Sequence, residues 1–268
     1  MQLSGDLLQA VDPVRFWNNN LLPDVDPLDP WQAETLRGSW QKILLNCCRQ
    51  SGKSTTTAVL AYHMAKYTAG SLTLVLSPSL RQSGELFRKV IWVENRDESP
   101  LKKEEDSKLY VTYKNGSRIV SLPGKEGTVR GYSAVDLLII DEASQVEDEL
   151  YGAVSPMLAV SGGRLALIST PHGKRGFFHH EWAEGGDEWF RVQITANDCP
   201  RITEAFLAAE RRKFPEWFIQ QEYFCQFVET EDQVFRYEDI RAAVSGDVDT
   251  LIKGPAGHGI KPLFAGSL

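Results

Sequence analysis

The run Ile43-Leu44-Leu45-Asn46-Cys47-Cys48-Arg49-Gln50-Ser51-Gly52-Lys53-Ser54 joins an apolar segment to a short polar turn and then to Gly-Lys-Ser. Helix-forming sequence from Thr55 to Lys66 follows it. A triphosphate chain needs this order: backbone N–H groups that curl around it, a lysine on its outer charges and a hydroxyl for Mg²⁺. The helix adds its positive dipole end. Gln50, Ser51, Gly52, Lys53, Ser54 and Thr55 are therefore candidate phosphate-side residues, with Ser54 a candidate Mg²⁺ ligand. Arg49 brings a further charge into the loop, either toward the phosphates or into a local salt bridge. The usual loop has glycine five residues before the Gly-Lys pair, and here that place is Cys47. The triplet alone is a weak signal.

A second cluster supplies corroboration. In Ala134-Val135-Asp136-Leu137-Leu138-Ile139-Ile140-Asp141-Glu142-Ala143, four consecutive apolar residues read as a buried parallel strand that ends on two acids. Ligands of open α/β sheets bind at that edge. Asp141 can hold the Mg²⁺ shell, and Glu142 can orient and deprotonate an attacking water. The plain alternative is an acid pair at the N-cap of a helix that follows a core strand. Three weaker constellations accompany these two. Leu165 to Pro171 ends a strand on Ser169-Thr170-Pro171, hydroxyls that can sense a γ-phosphate. Gly127-Thr128-Val129-Arg130-Gly131 presents an arginine between glycines, which suits an arginine finger. Asp29-Pro30-Trp31-Gln32 offers a glutamine amide suited to an adenine edge. The loop His172-Gly173-Lys174-Arg175-Gly176 is basic and could touch a phosphate backbone, as could Arg211, Arg212 and Lys213.

The elements that position these residues follow from hydrophobic patterning. Strands are expected at about 42–47, 72–77, 108–113, 117–122, 135–140, 164–169 and 188–194, and helices at about 53–69, 79–93, 147–158 and 175–184. Asn115-Gly116 between β-prone runs predicts a hairpin. Residues 1–30 read as irregular apart from a helical anchor at Val14 to Trp17, with a helix beginning near Asp29 or Pro30. The alternation gives an α/β fold with a mostly parallel sheet flanked by helices. The interval between Lys53 and Asp141 leaves room for an extra strand between the P-loop strand and the acid strand. After about Asn197, two helices split by Pro215 read as a small helical lid subdomain. The expected organisation is a core with an N-terminal extension over 1–196, a lid over 197–245, and a linker over 246–268.

Bulk properties exclude several classes. A chain of 268 residues, 42% hydrophobic and 24% charged, can bury one large core. It has no apolar run near the ~20 residues of a membrane helix and no signal-peptide pattern, so an intracellular protein is expected. The formal charge of −7 argues against nucleic-acid binding over the whole surface and confines any such contact to a local groove. Cys47, Cys48, Cys199 and Cys225 have no metal-ligand spacing, and reduced thiols in strand-end packing are expected.

Taken in this order, Trp31-Gln32, the deviant loop Cys48-Arg49-Gln50-Ser51-Gly52-Lys53-Ser54, Arg130-Gly131, Ile139-Ile140-Asp141-Glu142-Ala143 and Ser169-Thr170-Pro171 resemble the ATPase domain of the large terminase subunit of tailed bacteriophages. The resemblance covers roughly residues 28–245, and the missing first glycine is itself characteristic of that family. It implies a P-loop NTPase of the ASCE, RecA-like class. Such a motor hydrolyses ATP with Mg²⁺ to pump double-stranded DNA into a procapsid. The implied partners are copies of itself in a ring on the portal, the portal protein and the small terminase subunit, with no membrane. The implied location is the cytoplasm of the infected bacterial host, docked transiently on the procapsid. By this resemblance Gln32 is the adenine-side glutamine, Lys53 and Ser54 are the phosphate and Mg²⁺ ligands, and Asp141 is the metal-bound acid. Glu142 is the catalytic base, Arg130 the finger supplied in trans, Arg49 the loop arginine, and Ser169 to Pro171 the coupling motif. The family also implies a following RNase-H-like nuclease domain. Lys261 to Leu268 resembles its opening strand, so a truncated chain without DNA cleavage is the expectation. A helicase-like or other nucleic-acid translocase is the alternative.

Overall fold

The computed structural model describes residues 5–21, 25–124, 129 and 131–229. In chain order the elements are α1 (Gly5–Val11), α2 (Pro13–Asn20), α3 (Pro30–Arg37), β1 (Lys42–Cys47), α4 (Lys53–Tyr67), β2 (Leu72–Ser77), α5 (Leu80–Glu94), β3 (Lys103–Asp106), β4 (Tyr110–Tyr113), β5 (Arg118–Pro123), β6 (Leu137–Asp141), α6 (Asp148–Ala159), β7 (Arg164–Ser169), α7 (Gly176–Ala183), β8 (Trp189–Ile194), α8 (Glu204–Arg211) and α9 (Glu216–Glu222). Among these residues the strands form one eight-stranded sheet in the order β3-β4-β5-β2-β6-β7-β1-β8. Pairing is parallel from β5 through β8, and only β3–β4 and β4–β5 are antiparallel. The expected α/β class and mostly parallel sheet are therefore what the chain adopts.

The sequence dictates this layering. β2 and β6 are buried along their whole length, and β1 and β7 are buried beyond their first residues, as continuous apolar runs covered on both faces must be. One face packs Ile43, Leu45, Val75, Ile139 and Ile168 against α4 and α5. The other packs Leu44, Leu74, Leu138, Ile140 and Leu167 against α6 and α7. Each such fully buried side chain contributes about 1.5–3 kcal/mol of hydrophobic stabilisation. The predicted hairpin joins β4 to β5, with Gly116 at φ 84° and its N–H donating to the Tyr113 carbonyl at 2.9 Å.

Two expectations need correction. Residues 1–30 are not irregular apart from one anchor: α1 and α2 both form, α2 being capped by the Asp12 carboxylate, which accepts from Val14 N at 2.9 Å. Phe16 and Trp17 of α2 are buried in the main core, which gives this segment the apolar contact a short helix needs. β3, the charged stretch Lys103-Glu104-Glu105-Asp106, is a strand that patterning does not reveal. It sits at the sheet edge and owes its conformation to pairing with β4.

β7 lies between β1 and β6, so one strand separates the Lys53 loop from the acid pair. It follows that pair in the chain rather than coming from the interval between Lys53 and Asp141, whose strands β2 to β5 lie on the far side of β6. Register places Asn46 opposite Ser169 and Asp141 opposite Ile168. The loop, the acid pair and the hydroxyl cluster thus emerge together at the carboxyl ends of three adjacent strands. Beyond β8, α8 and α9 enclose a small core of Ala196, Leu207, Ile219 and Tyr223. Among the described residues no helix is long and apolar enough to cross a membrane.

Candidate active site

The loop after β1 turns without the expected first glycine because it does not need one. Cys47 is the last residue of β1 and fully buried, and the left-handed positions fall later, at Gln50 (φ 62°) and Gly52 (φ 98°). Gly52 is required twice over. Its φ disfavours side chains, and a Cβ there would lie 2.9 Å from Gln32 Nε2. The loop backbone is held by protein N–H donors, Cys48 N to the Ile194 carbonyl at 2.8 Å and Arg49 N to the Glu222 carbonyl at 3.2 Å. α4 begins at Lys53 with Gly52 as its N-cap, so Ser54 and Thr55 occupy the first turn at the positive end of a fifteen-residue helix.

Lys53 reaches across this edge. Its Nζ lies 3.1 Å from Glu142 Oε1 and donates to Thr170 Oγ1 at 3.0 Å. Thr170 Oγ1 in turn donates to the Cys47 carbonyl at 2.9 Å, closing a ring between the end of β1 and the end of β7. Burial pulls the Lys53 pKa down, but Glu142 and Asp141 outweigh it and the net shift is upward, so the ammonium stays charged. Glu142 sits in the left-handed region at φ 51°, uncommon for a non-glycine residue, and this turns its carboxylate back toward Lys53. Asp141 is buried, and its Oδ1 has no hydrogen-bond partner. Burial, reinforced by the Glu142 charge and opposed by Lys53, lifts its pKa to about 7. A carboxylate oxygen in that condition fits a cation, and a Mg²⁺ that keeps most of its water needs little beyond this oxygen and one hydroxyl.

The hydroxyl cluster is knit to the acid loop. Ser144 N donates to Ser169 Oγ at 3.2 Å, the two hydroxyls lie 2.7 Å apart, and Ser144 Oγ donates to the Thr170 carbonyl at 2.8 Å. Ser144 was not singled out from sequence, although its place two residues past the acid pair is a usable signal. On the other flank, Gln32 Nε2 donates to Thr56 Oγ1 at 3.0 Å and to the Gly52 carbonyl at 3.4 Å, while its Oε1 accepts from Asp29 N at 2.8 Å. Arg49 takes the local salt bridge: its Nε pairs with Glu222 Oε2 at the end of α9. Arg201, also unanticipated, forks onto the Asp29 carboxylate at 2.6 and 3.2 Å and donates to the Ser51 carbonyl at 2.9 Å.

The structure thus brings together Gln32, Gly52, Lys53, Glu142, Asp141, Ser169 and Thr170. Arg130 lies outside the described residues, as do the linker 246–268 and the end of the proposed lid. Among the basic candidates, Lys174 pairs with Glu229 at 3.4 Å and Lys213 with Glu210 at 2.9 Å, and Arg211 lies over the Phe224 ring. Behind the loop Cys48, Cys199 and Cys225 form a buried cluster, and all four thiols are free, as expected. Burial lifts the Cys47 and Cys48 thiols to about 12.

Residues 44–242 match the family described as terminase large subunit, T4likevirus-type, N-terminal. Large terminase subunits of Thermus phage G20c and Thermus virus P23-45 are each 26% identical, over 70% of this chain and 46% of theirs. The chain therefore spans about half the length of the curated relatives it matches. The fold resembles the ATPase domain of the Thermus phage P74-26 large terminase, with a TM-score of 0.65 at 21% identity, covering 74% of this chain and 92% of that one. It also resembles the large terminase of the thermophilic bacteriophage D6E in complex with ATP-γ-S, with a TM-score of 0.61 at 14% identity over 75% of this chain and 53% of that one.

Proposed function

This chain belongs to the terminase large-subunit family, and from that premise we infer that it is an ATPase module of a viral DNA-packaging motor. Support comes from one observation above all: Lys53, Glu142 and Thr170 converge within hydrogen-bond distance at the carboxyl edge of three adjacent strands, beside the buried acid Asp141.

In this reading the N–H groups of Gln50 to Thr55 cradle the phosphates, and Lys53 leaves Glu142 for the β- and γ-phosphate oxygens. Glu142, released from its ion pair, accepts a proton from the attacking water. Ser54 and Asp141 would hold Mg²⁺, which when bound supplies positive charge to the phosphate oxygens. Thr170 senses the movement of Lys53 and passes it, through Ser169 and Ser144, to the strand ends around it. Arg130 is assigned as the finger acting in trans, and Arg49 as a loop arginine that exchanges Glu222 for a phosphate. Residues 1–196 serve as the core, 197–245 as a lid and 246–268 as a linker. The proposed partners are double-stranded DNA, further copies of this chain in a ring, the portal protein and the small subunit. The proposed location is the host cytoplasm, with transient docking on the procapsid.

The deciding experiment is Glu142→Gln. ATP binding, read by calorimetry, should persist while turnover falls by about 10²–10⁴-fold, the contribution of a positioned base. Turnover sustained at the wild-type rate would remove Glu142 from the mechanism.

A further inference from the structure

The family resemblance assigns the base side of the nucleotide to Gln32, yet the Gln32 amide is already engaged at both ends. Its oxygen accepts from Asp29 N, and its nitrogen donates to Thr56 Oγ1 and the Gly52 carbonyl. It is also buried, with 5% of its surface exposed. The group left facing outward at this corner is Arg201, whose side chain is 49% exposed. A Cβ built on Gly52 would lie 2.9 Å from Gln32 Nε2 and 3.5 Å from Arg201 Nη2, so the two tips converge over the glycine at the centre of the loop. Arg201 is fixed there. Its guanidinium forks onto the nearly buried Asp29 carboxylate and donates to the Ser51 carbonyl, which sets the plane of the group.

We propose that Arg201 is the nucleoside-binding residue of this site, its guanidinium plane a platform on which the base stacks, held by Asp29 against the Ser51 carbonyl. A delocalised, weakly hydrated guanidinium stacks on aromatic rings, and such stacking takes any purine because every base has a π-face. Gln32 acts behind it, tying α3 to α4. Arg201 precedes Ile202, which packs on the small core with Leu207, Ile219 and Tyr223, so base occupancy also bears on α8 and α9. This inference rests on the nucleotide reading of Lys53 and extends it to the half of the ligand that the phosphate loop does not touch.

The test compares ATP, GTP and inorganic tripolyphosphate on the full chain, by calorimetry and by competition. Arg201→Ala should weaken ATP and GTP alike by about 10-fold, the scale of one stacking or charge-assisted contact, and leave tripolyphosphate affinity within about 2-fold. KM should rise while kcat changes by less than about 3-fold. Arg201→Lys, which keeps the charge but not the plane, should fail to restore nucleotide affinity. Asp29→Asn keeps a good helix N-cap, loosens the fork and should give a smaller loss of the same pattern, which guards against misfolding of the arginine variant. Unchanged ATP affinity, rescue by lysine, or equal loss of ATP and tripolyphosphate would each overturn the role of Arg201. If wild-type protein binds neither ATP nor tripolyphosphate, the nucleotide-site reading itself falls.

Discussion

Asp141→Asn should make this protein more stable while disabling it. Asp141 is 7% exposed and its Oδ1 has no partner, so the folded chain disfavours its ionised form. Its pKa rises from 3.8 to about 7, chiefly through burial and secondarily through the Glu142 charge. The sign follows directly. Between pH 3.8 and about 7 the folded state holds a proton that the unfolded chain has released. Stability is therefore greatest below the unfolded pKa and falls as pH rises through the folded one. The full shift corresponds to about 4 kcal/mol, and relaxation and water entry around a buried charge reduce that to about 2 kcal/mol. Asparagine carries no such cost. At about pH 8 the variant should melt roughly 4–8 °C above wild type, and at about pH 4 the two should coincide. Scanning calorimetry across that range is the assay. A variant no more stable than wild type at high pH, or a gap that does not close on acidification, would refute the account of Asp141 as a strained, cation-ready carboxylate. Added Mg²⁺ should raise wild-type stability at high pH and leave the variant unmoved.

Two further outcomes follow from the ring around Lys53 and from the loop arginine. Thr170→Val keeps the shape but removes the donor to the Cys47 carbonyl and the acceptor for Lys53, and should cost about 1–3 kcal/mol in urea unfolding, with slower turnover. Arg49→Ala should cost about 1–3 kcal/mol, because the guanidinium is 61% exposed but the Glu222 carboxylate it pairs with is only 9% exposed and loses its cation. A large loss of hydrolysis in protein that stays folded at the assay temperature would therefore reflect chemistry rather than folding.

The parts legible in sequence were those encoded locally. Continuous apolar runs at 42–47, 72–77 and 164–169 gave strands at those bounds, because burial on both faces leaves no other pattern. Asp141 and Glu142 were readable for the same reason, as the polar stop of such a run. What escaped depended on distance or on context. Arg201 and Asp29 are 172 positions apart, and nothing in either neighbourhood announces the pair. Arg49 offered two readings that only the position of Glu222 separates. β3 has the composition of a solvated loop and is a strand only because β4 presents an edge to it. Cys47, which looked like a fault in the phosphate loop, is ordinary once the turn is seen to begin at Gln50 rather than at the end of β1.

The buried thiols have a practical corollary. Cys47, Cys48, Cys199 and Cys225 are the chain's full complement of cysteine, each at most 1% exposed. At neutral pH the Cys47 and Cys48 sulfurs stay protonated, since their pKa values lie near 12. Alkylating reagents attack thiolates, so maleimide dyes should pass the folded protein by. A single cysteine placed on an exposed position of α8 could then be labelled in the otherwise native background, and a fluorophore there would report movement of that helix during turnover without any prior cysteine-stripping.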